Sequence, residues 1–179
     1  MDNRYLVGSS EKDREVQDFY RTPDCATKEL LKRESFIGSI WEPACGDGAI
    51  SKLLDKNEII STDLFDRGYG KPNIDFLSIV IKVNNIVTNP PYKLAEQFLV
   101  HSYECATDKI AMLLKLNFLE GQKRYELFKK YSPKTVYVFS KRLSFDKGDS
   151  KGNGSGLLAY AWFVWDRKYV GKPQIEWIL

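Results

Sequence analysis

Apolar residues alternate along this chain between short continuous runs and stretches with helical spacing. Six runs are short and bounded by polar turn residues, as buried strands are; they cover residues 36–40, 58–63, 86–88, 110–114, 135–139 and 157–165. Helical spacing follows three of the turns, over residues 50–54, 95–105 and 119–131. Strands that alternate with helices predict an α/β fold. We expect three layers around a mostly parallel sheet, with the aromatic-rich last strand antiparallel.

The composition is that of one globular domain, which we expect to span residues 1–179. The chain is 43% hydrophobic, enough for one core, and no internal repeat or linker interrupts it. The longest break in the pattern is residues 141–156, where clustered glycines predict a mobile loop; they are Gly148, Gly152, Gly154 and Gly156.

The most informative motif follows the apolar run at 86–88 and consists of Asn89, Pro90, Pro91 and Tyr92. Two prolines stiffen the loop and supply no competing N–H groups. An amide oxygen and a proline carbonyl then lie side by side, with an aromatic face next to them. Such a site fits a planar group that carries an –NH2, and the exocyclic amine of a nucleobase is the first candidate. The alternative is an ordinary turn, because Asn-Pro and Pro-Pro are also common turn dipeptides.

A glycine turn, residues 41–49, lies upstream between a predicted strand and a predicted helix. This arrangement lets a ligand approach the backbone closely at a helix N-terminus. The spacing departs from the dinucleotide fingerprint because position 51 is Ser rather than Gly. Glu42 and Asp47 place negative charge beside the turn, which favours a sulfonium or an amino group over a pyrophosphate. We interpret Cys45 as a packing residue, since no His lies nearby in sequence to activate it.

Two further acidic positions follow. Asp63 ends the second predicted strand, at about the distance from Gly46 at which a Rossmann-like unit holds a ribose. Asp75 has an aromatic neighbour, Phe76, and the pair could hold an adenine by its amino edge and its face. A strand-end turn for Asp63 and a core position for Phe76 are the alternatives.

The chain resembles the S-adenosylmethionine-dependent N6-adenine DNA methyltransferases in the order of four motifs: Glu42-Pro43-Ala44-Cys45-Gly46, Asp63, Asp75-Phe76 and Asn89-Pro90-Pro91-Tyr92. The order is similar to that of the gamma class, in which the cofactor motifs precede the Asn-Pro-Pro-Tyr motif. Residues 19–23 resemble the N-terminal motif of that family, and the compact length is similar to the bacteriophage versions. The specific match covers about residues 19–92.

The resemblance implies a Rossmann-like methyltransferase fold with S-adenosyl-L-methionine as the cofactor. It implies that the methionine end is bound by Thr22, Pro23, Glu42, Ala44, Cys45, Gly46 and Gly48. It also implies that Asp63 binds the ribose, and that Asp75 and Phe76 bind the cofactor adenine. Asn89 would border the cofactor and, with the Pro90 carbonyl next to Pro91, hold the target amine under Tyr92.

The charged residues are unevenly distributed. Residues 1–108 hold 13 Lys/Arg against 18 Asp/Glu, whereas residues 109–151 hold 11 against 4. A charge run usually marks only a solvated face. Here it follows the proposed base-binding loop, so we expect a phosphate-contacting surface and DNA as the partner. Substrate-contact candidates in this half are Phe118, Arg142 and Phe145, with a hairpin rim as the alternative for the last two. His101 is interpreted as a helix or core residue.

The remaining features concern location and specificity. The three cysteines form no zinc spacing, no metal site is expected, and a reducing compartment is indicated. The polar N-terminus and the lack of a long apolar run predict no signal segment and no membrane span, hence a cytoplasmic protein. Restriction-modification enzymes of the gamma class usually add a large target-recognition domain, for which this chain has no room. A short or relaxed recognition sequence is therefore expected.

Three alternative functions stay open at this stage, and the oligomeric state is unknown. The first is N6-adenine methylation of RNA, and the second is methylation of a protein glutamine amide, which also presents a planar –NH2. The third is a non-catalytic nucleic-acid-binding or decoy protein, for which a cofactor turn would have no use.

Overall fold

The computed structural model describes residues 19–54, 58–147 and 158–179. Within these ranges the chain forms nine strands: β1 Tyr20–Arg21, β2 Ile40–Glu42, β3 Ile59–Ser61, β4 Val83–Thr88, β5 Ala106–Lys115, β6 Thr135–Phe139, β7 Asp146–Lys147, β8 Tyr160–Asp166 and β9 Gln174–Ile178. Three α-helices accompany them: α1 Asp24–Leu31, α2 Ala95–Cys105 and α3 Gln122–Lys130.

Seven of the strands form one mixed sheet in the order β3-β2-β4-β5-β8-β6-β9. The pairs β3–β2, β2–β4, β4–β5 and β6–β9 are parallel, and only β8 runs antiparallel to its neighbours within the described sheet. The α/β prediction, with a mostly parallel sheet and an antiparallel strand near 157–165, is confirmed. A separate two-stranded ribbon joins β1 to β7 in antiparallel register.

The central strands β4, β5 and β8 are largely buried on both faces of the sheet, which explains their continuous apolar runs. Side chains of β8 alternate between the two faces: Phe163 and Trp165 pack with α2 and with Phe128 of α3, whereas Trp162 and Val164 pack against α1. Trp162 donates from its indole to the carbonyl of Ala26 at 2.8 Å, which ties α1 to the sheet. No helix among the described residues is long and apolar enough to cross a membrane.

Several predicted boundaries require correction. The first core strand begins at Ile40 rather than at Phe36, because Gly38 adopts a left-handed conformation (φ 84°) and Ile37 is exposed. The helix predicted over 50–54 is a single 3-10 turn, Ser51–Leu53. The helix predicted over 119–131 begins only at Gln122, after a 3-10 turn and a second positive-φ glycine.

Of the remaining elements, two have the predicted bounds and two were not predicted. Residues 95–105 and 135–139 form α2 and β6 with the predicted bounds. Helix α1 and strand β9 were not predicted, because α1 has few apolar residues and β9 is an exposed edge strand. Of the loop predicted over 141–156, the four glycines lie outside the described residues.

Candidate active site

The predicted site residues meet at one edge of the sheet. Strands β3, β2, β4 and β5 are parallel neighbours, so their carboxyl ends face the same way. The chain leaves β2 toward β3 on one side, and β4 lies on the other side of β2. This is the switch point at which open α/β sheets bind ligands. The glycine turn, Asp63 and the Asn89–Tyr92 loop all follow strands that end there.

The glycine turn is closed by its own backbone. Cys45 N donates to Thr62 O at 3.0 Å, and Gly48 N donates to Cys45 O at 2.8 Å. Gly46 and Gly48 have φ values of 54° and 80°, which side chains rarely adopt. The turn therefore needs glycine at both positions.

Two aromatic rings cover the turn on its open side. A Cβ atom at Gly46 would overlap the ring of Phe19, and one at Gly48 would lie 2.5 Å from the ring of Tyr69. Phe19 is itself covered by Arg67, whose guanidinium carbon lies 4.7 Å from the ring centroid. The segment 19–23 was predicted from its motif, whereas Tyr69 was not predicted, since no motif marks it.

Glu42 supports the turn from beneath. Its side chain is buried, and the backbone N–H of Ser51 donates to Oε2 at 2.8 Å, with a second short hydrogen bond from the Ser51 hydroxyl. Burial, together with nearby Asp63 and Asp47, raises the pKa of Glu42 to about 8. Glu42 is thus largely protonated at neutral pH. The expectation that it adds negative charge to the turn is corrected by this burial.

The other acidic residues at the turn are Asp47 and Asp63. Asp47 accepts a hydrogen bond from Arg21 Nε at 2.9 Å, while its second oxygen is buried without a partner among the described residues. Asp63 accepts from Gly46 N at 2.8 Å and from Phe65 N at 2.9 Å. Asp63 therefore fixes the turn in addition to any contact with a ligand. The free oxygen of Asp47 was not singled out from the sequence.

The thiol of Cys45 is unsuited to nucleophilic chemistry. Its side chain is buried beside Gly70, and its sulfur lies 3.6 Å from the Tyr69 carbonyl. Burial, with the neighbouring carboxyl groups of Glu42 and Asp63, raises the pKa of this thiol to about 12. The thiol stays protonated at neutral pH and fills space within the turn.

Asp75 and Phe76 differ in their surroundings. Asp75 caps a 3-10 turn, accepting from Leu77 N at 3.0 Å and from the Ser78 hydroxyl at 2.6 Å. Phe76 is only 2% exposed and packs edge-on against Trp41. The side chain packs in the core of the described chain, and the contact of its ring with an adenine stays a prediction. His101, on α2, packs against Phe76 and contacts the Ile79 carbonyl at 2.8 Å.

Asn89 lies at the carboxyl end of β4 with its side-chain orientation fixed. Its amide nitrogen donates to the Thr22 hydroxyl at 3.1 Å, whereas its amide oxygen is buried and has no partner in the described chain. A buried, unpaired acceptor is costly and is usually explained by function or a ligand. Pro90 next to it is buried, and Pro91 is exposed. The N-terminal segment and the Asn89 loop therefore meet directly.

Tyr92 belongs to a row of aromatic rings. Its centroid lies 5.8 Å from that of Tyr160, which in turn lies 4.6 Å from Phe145, and Phe145 lies 6.4 Å from Tyr20. Burial, followed by the nearby Tyr160 phenol, raises the pKa of Tyr92 above its ordinary value. The structure thus links Phe145 to Tyr92 through Tyr160, a residue that sequence analysis did not name.

The row connects the two predicted halves of the site. Strand β1 directly precedes Thr22, and it pairs with β7, which directly follows Phe145. Arg142 is exposed, while the adjacent Leu143 is buried and anchors the loop. The segment assigned to the cofactor and the loop assigned to the substrate therefore form one ribbon.

A cavity of about 230 Å³ opens beside Tyr92. Phe118, predicted to contact the substrate, lines it and is otherwise a core residue that packs edge-on against Phe128 and Phe163. A second cavity of about 420 Å³ adjoins it and shares two lining residues, Lys115 and Asn117. The Lys115 ammonium lies 4.8 Å from the centroid of the Tyr92 ring.

Comparisons with known proteins place the fold. No protein-family model and no curated protein matches the sequence. Among solved structures, a protein assigned as an RNA methyltransferase from Pyrococcus horikoshii is similar, with a TM-score of 0.60 and 17% identity over 84% of this chain and 87% of that one. The 23S rRNA methyltransferase ErmE is similar, with a TM-score of 0.60 and 14% identity over 84% of this chain and 70% of that one.

A third similar structure is a subunit of a restriction enzyme. It is the modification subunit of an enzyme assigned as a type I restriction enzyme, from Vibrio vulnificus, with a TM-score of 0.59 and 12% identity over 94% of this chain. The chain spans 49% of that subunit. These likenesses, together with the sheet order and the switch point, show that the chain has the α/β fold of the Rossmann-like methyltransferases.

Proposed function

We propose that the protein transfers a methyl group from S-adenosyl-L-methionine to the exocyclic N6 amine of adenine in DNA, with a short or relaxed recognition sequence. The observation that carries this proposal is the buried oxygen of Asn89, which has no partner among the described residues, in the same loop as Tyr92. The oxygen is an acceptor available for an N–H group that the described part of the chain does not supply.

The chemistry requires orientation rather than a general base. The lone pair of an aromatic amine is delocalised into the ring, which makes the nitrogen a poor nucleophile. The Asn89 oxygen and the Pro90 carbonyl would each accept one N–H. Two acceptors favour a more tetrahedral nitrogen and stabilise the positive charge that grows on it. Positioning of this kind can lower the activation free energy of methyl transfer by up to about 7–11 kcal/mol.

The residues around the glycine turn fit a cationic cofactor. The buried oxygen of Asp47, which has no partner among the described residues, suits an ammonium or a sulfonium, and the rings of Phe19 and Tyr69 form aromatic walls. Asp63 would bind the ribose hydroxyls. S-adenosyl-L-methionine, when bound, supplies the electrophilic methyl group. Glu42 and Ser51 would hold the turn in shape, and Thr22 would keep Asn89 oriented.

A nucleic acid is favoured over a protein substrate by the charges on the target side. Lys93, Lys115 and Arg124 line the cavity beside Tyr92. RNA is the second candidate, because the similar structures include proteins named as RNA methyltransferases. A release factor is the third, because one similar structure is described as the complex that methylates a translation termination factor.

The test is methyl transfer from radiolabelled S-adenosylmethionine offered in parallel to DNA, ribosomal RNA and a release factor. We expect label in DNA, located in N6-methyladenine by nucleoside mass spectrometry. Label confined to RNA or to protein would replace the proposed substrate, and no label in any of the three would refute the proposed activity.

A further inference from the structure

We infer that the cavity beside Tyr92 binds the phosphodiester backbone next to the target nucleotide, and that Lys115 is its principal phosphate-contacting residue. In the free protein the ammonium of Lys115 lies over the ring on which the target base would stack. The inference rests on the proposed function, because it assigns the target to the Tyr92 side of the site.

Lys115 is positioned by the central part of the sheet. It is the last residue of β5, whose preceding residues are buried, and its cross-strand partner on β8 is Tyr160. Tyr160 contacts Tyr92, so three neighbouring elements fix where the lysine side chain emerges. The strand end fixes the backbone position of Lys115, and the flexible side chain extends from it into the cavity beside Tyr92.

The lining of the cavity is basic and aromatic. Besides Lys115 it includes Lys93 and Arg124, whose guanidinium carbon lies 5.3 Å from the centroid of Phe118. The carboxylates nearby are Glu96, 3.7 Å from Arg124, and Glu120 in the adjoining cavity. In the described part of the chain, Lys115 has no carboxylate partner.

The opposite side of the Asn89 loop is of mixed charge. Asp47 and Asp63 lie at the glycine turn, and Arg21 pairs with Asp47. Lys52 and Arg67 add positive charge over the rings of Tyr69 and Phe19. The excess of positive charge in the cavity beside Tyr92 suits a polyanionic strand. A glutamine amide in a protein substrate brings no regular row of negative charges, and the basic cavity would then have no function.

Stacking of the target base explains how Lys115 can contact the Tyr92 ring in the free protein and a phosphate in the complex. An incoming base that stacks on the Tyr92 ring takes the place of the cation–π contact, and the ammonium is displaced from the ring. The flexible lysine stem then lets the charge reach the phosphate that enters with the base.

The first experiment measures the salt dependence of oligonucleotide binding. A labelled DNA strand with one adenine is titrated at several KCl concentrations with the wild type, Lys115→Met, Lys115→Arg and Lys129→Met. Lys129 is a matched control because it lies on the exposed side of α3, paired with Glu126. We expect Lys115→Met to lower the magnitude of the salt slope by about one and to weaken binding about 3- to 10-fold. Lys115→Arg and Lys129→Met should keep the slope.

The second experiment neutralises the phosphate instead of the lysine. Methylphosphonate linkages beside the target adenine should weaken binding to the wild type as much as Lys115→Met does, and should not weaken Lys115→Met further. Additive losses would overturn the assignment, as would equal slopes for Lys115→Met and Lys129→Met. The same strands made as RNA show which nucleic acid the cavity prefers.

A third readout follows the displacement. With 2-aminopurine at the target position, saturating Lys115→Met should quench its fluorescence at least as strongly as the wild type. Weaker quenching with Lys115→Met than with the wild type would show that the lysine helps to hold the stacked base and is not displaced by it. All these readouts are independent of methyl transfer. Salt slopes as predicted without methylated product would refute the proposed function alone, and methylated product with an unchanged slope would refute this inference alone.

Discussion

The amide nitrogen of Asn89 donates a hydrogen bond to the hydroxyl of Thr22 at 3.1 Å, and this contact leaves the amide oxygen as the group without a partner among the described residues. Thr22 lies on the N-terminal segment that covers the glycine turn. The side chain of the proposed acceptor is therefore held by a residue 67 positions away in sequence.

Removal of the acceptor should abolish most of the activity. Asn89→Ala is expected to lower kcat by about 10²- to 10³-fold, the usual effect of deleting one preorganised hydrogen-bonding group at a reacting centre. Asn89→Asp keeps two acceptor oxygens and should retain much more activity than the alanine variant. Single-turnover methyl transfer to DNA measures both. Equal activity of the alanine and aspartate variants would contradict the assigned role.

Loss of the orienting hydroxyl should have a smaller effect. Thr22→Val preserves the shape of the side chain but removes the hydrogen bond, so kcat should fall about 2- to 10-fold. Thr22→Ser keeps the hydroxyl and lacks only the methyl group, so its kcat should stay close to that of the wild type. If Thr22 acted only through packing of its methyl group, Thr22→Ser would lose activity as well. The same kinetic assay measures kcat and the KM for DNA of each variant. A change in KM without a change in kcat would contradict the claim that Thr22 orients Asn89.

The glycine turn offers a matched pair of substitutions. Gly46 and Gly68 both have positive φ, but only a Cβ at Gly46 meets a neighbour, the ring of Phe19. Both alanine variants bear similar backbone strain. Gly46→Ala should additionally displace the ring and weaken cofactor binding about tenfold or more, as measured by calorimetry. Similar cofactor affinities for the two variants would show that the ring and the turn are not part of the cofactor site.

The buried acid beneath the turn should make stability depend on pH. The pKa of Glu42 is about 8 in the folded protein against an ordinary 4.5, so the folded state keeps a proton that the unfolded state loses. The stabilisation is complete below about pH 4.5 and is lost as the pH rises through about 8. Between pH 5 and pH 8.5 the wild type should therefore lose on the order of 2–4 kcal/mol relative to Glu42→Gln.

Chemical denaturation of both proteins across this pH range measures the difference. Glu42→Gln keeps an acceptor for Ser51, so a fold defect is not expected at pH 5. If the free energy of unfolding had the same pH dependence in the wild type and the variant, Glu42 would not be protonated in the folded state.

Elements that are marked by neighbouring residues in the chain, such as apolar runs and turn motifs, could be predicted from the sequence. The Asn89–Tyr92 motif, Asp63 and the glycine turn could be placed at one sheet edge, because parallel strands bring their carboxyl ends together. The bounds of α2 and β6 followed from periodicity alone. The short helix after the glycine turn was predicted too long, since apolar spacing over five residues does not distinguish an α-helix from a 3-10 turn.

What the sequence could not show are contacts between segments far apart in the chain. Tyr160 reaches Tyr92 because β8 inserts antiparallel between β5 and β6, and no local pattern records that insertion. Lys115 directly follows the predicted strand run 110–114, and its position over Tyr92 depends on the same insertion. The packing of the Phe76 ring against Trp41 is likewise a contact between distant segments that no motif records.

The most direct test of the account is mass spectrometry of nucleosides from adenine-containing DNA treated with the wild type or with Asn89→Ala in the presence of S-adenosylmethionine. We predict N6-methyladenine with the wild type and at least about a hundredfold less with the variant. DNA without N6-methyladenine after treatment with the wild type, or equal product from the two proteins, would contradict the claim that the Asn89 oxygen holds the amine of a target adenine.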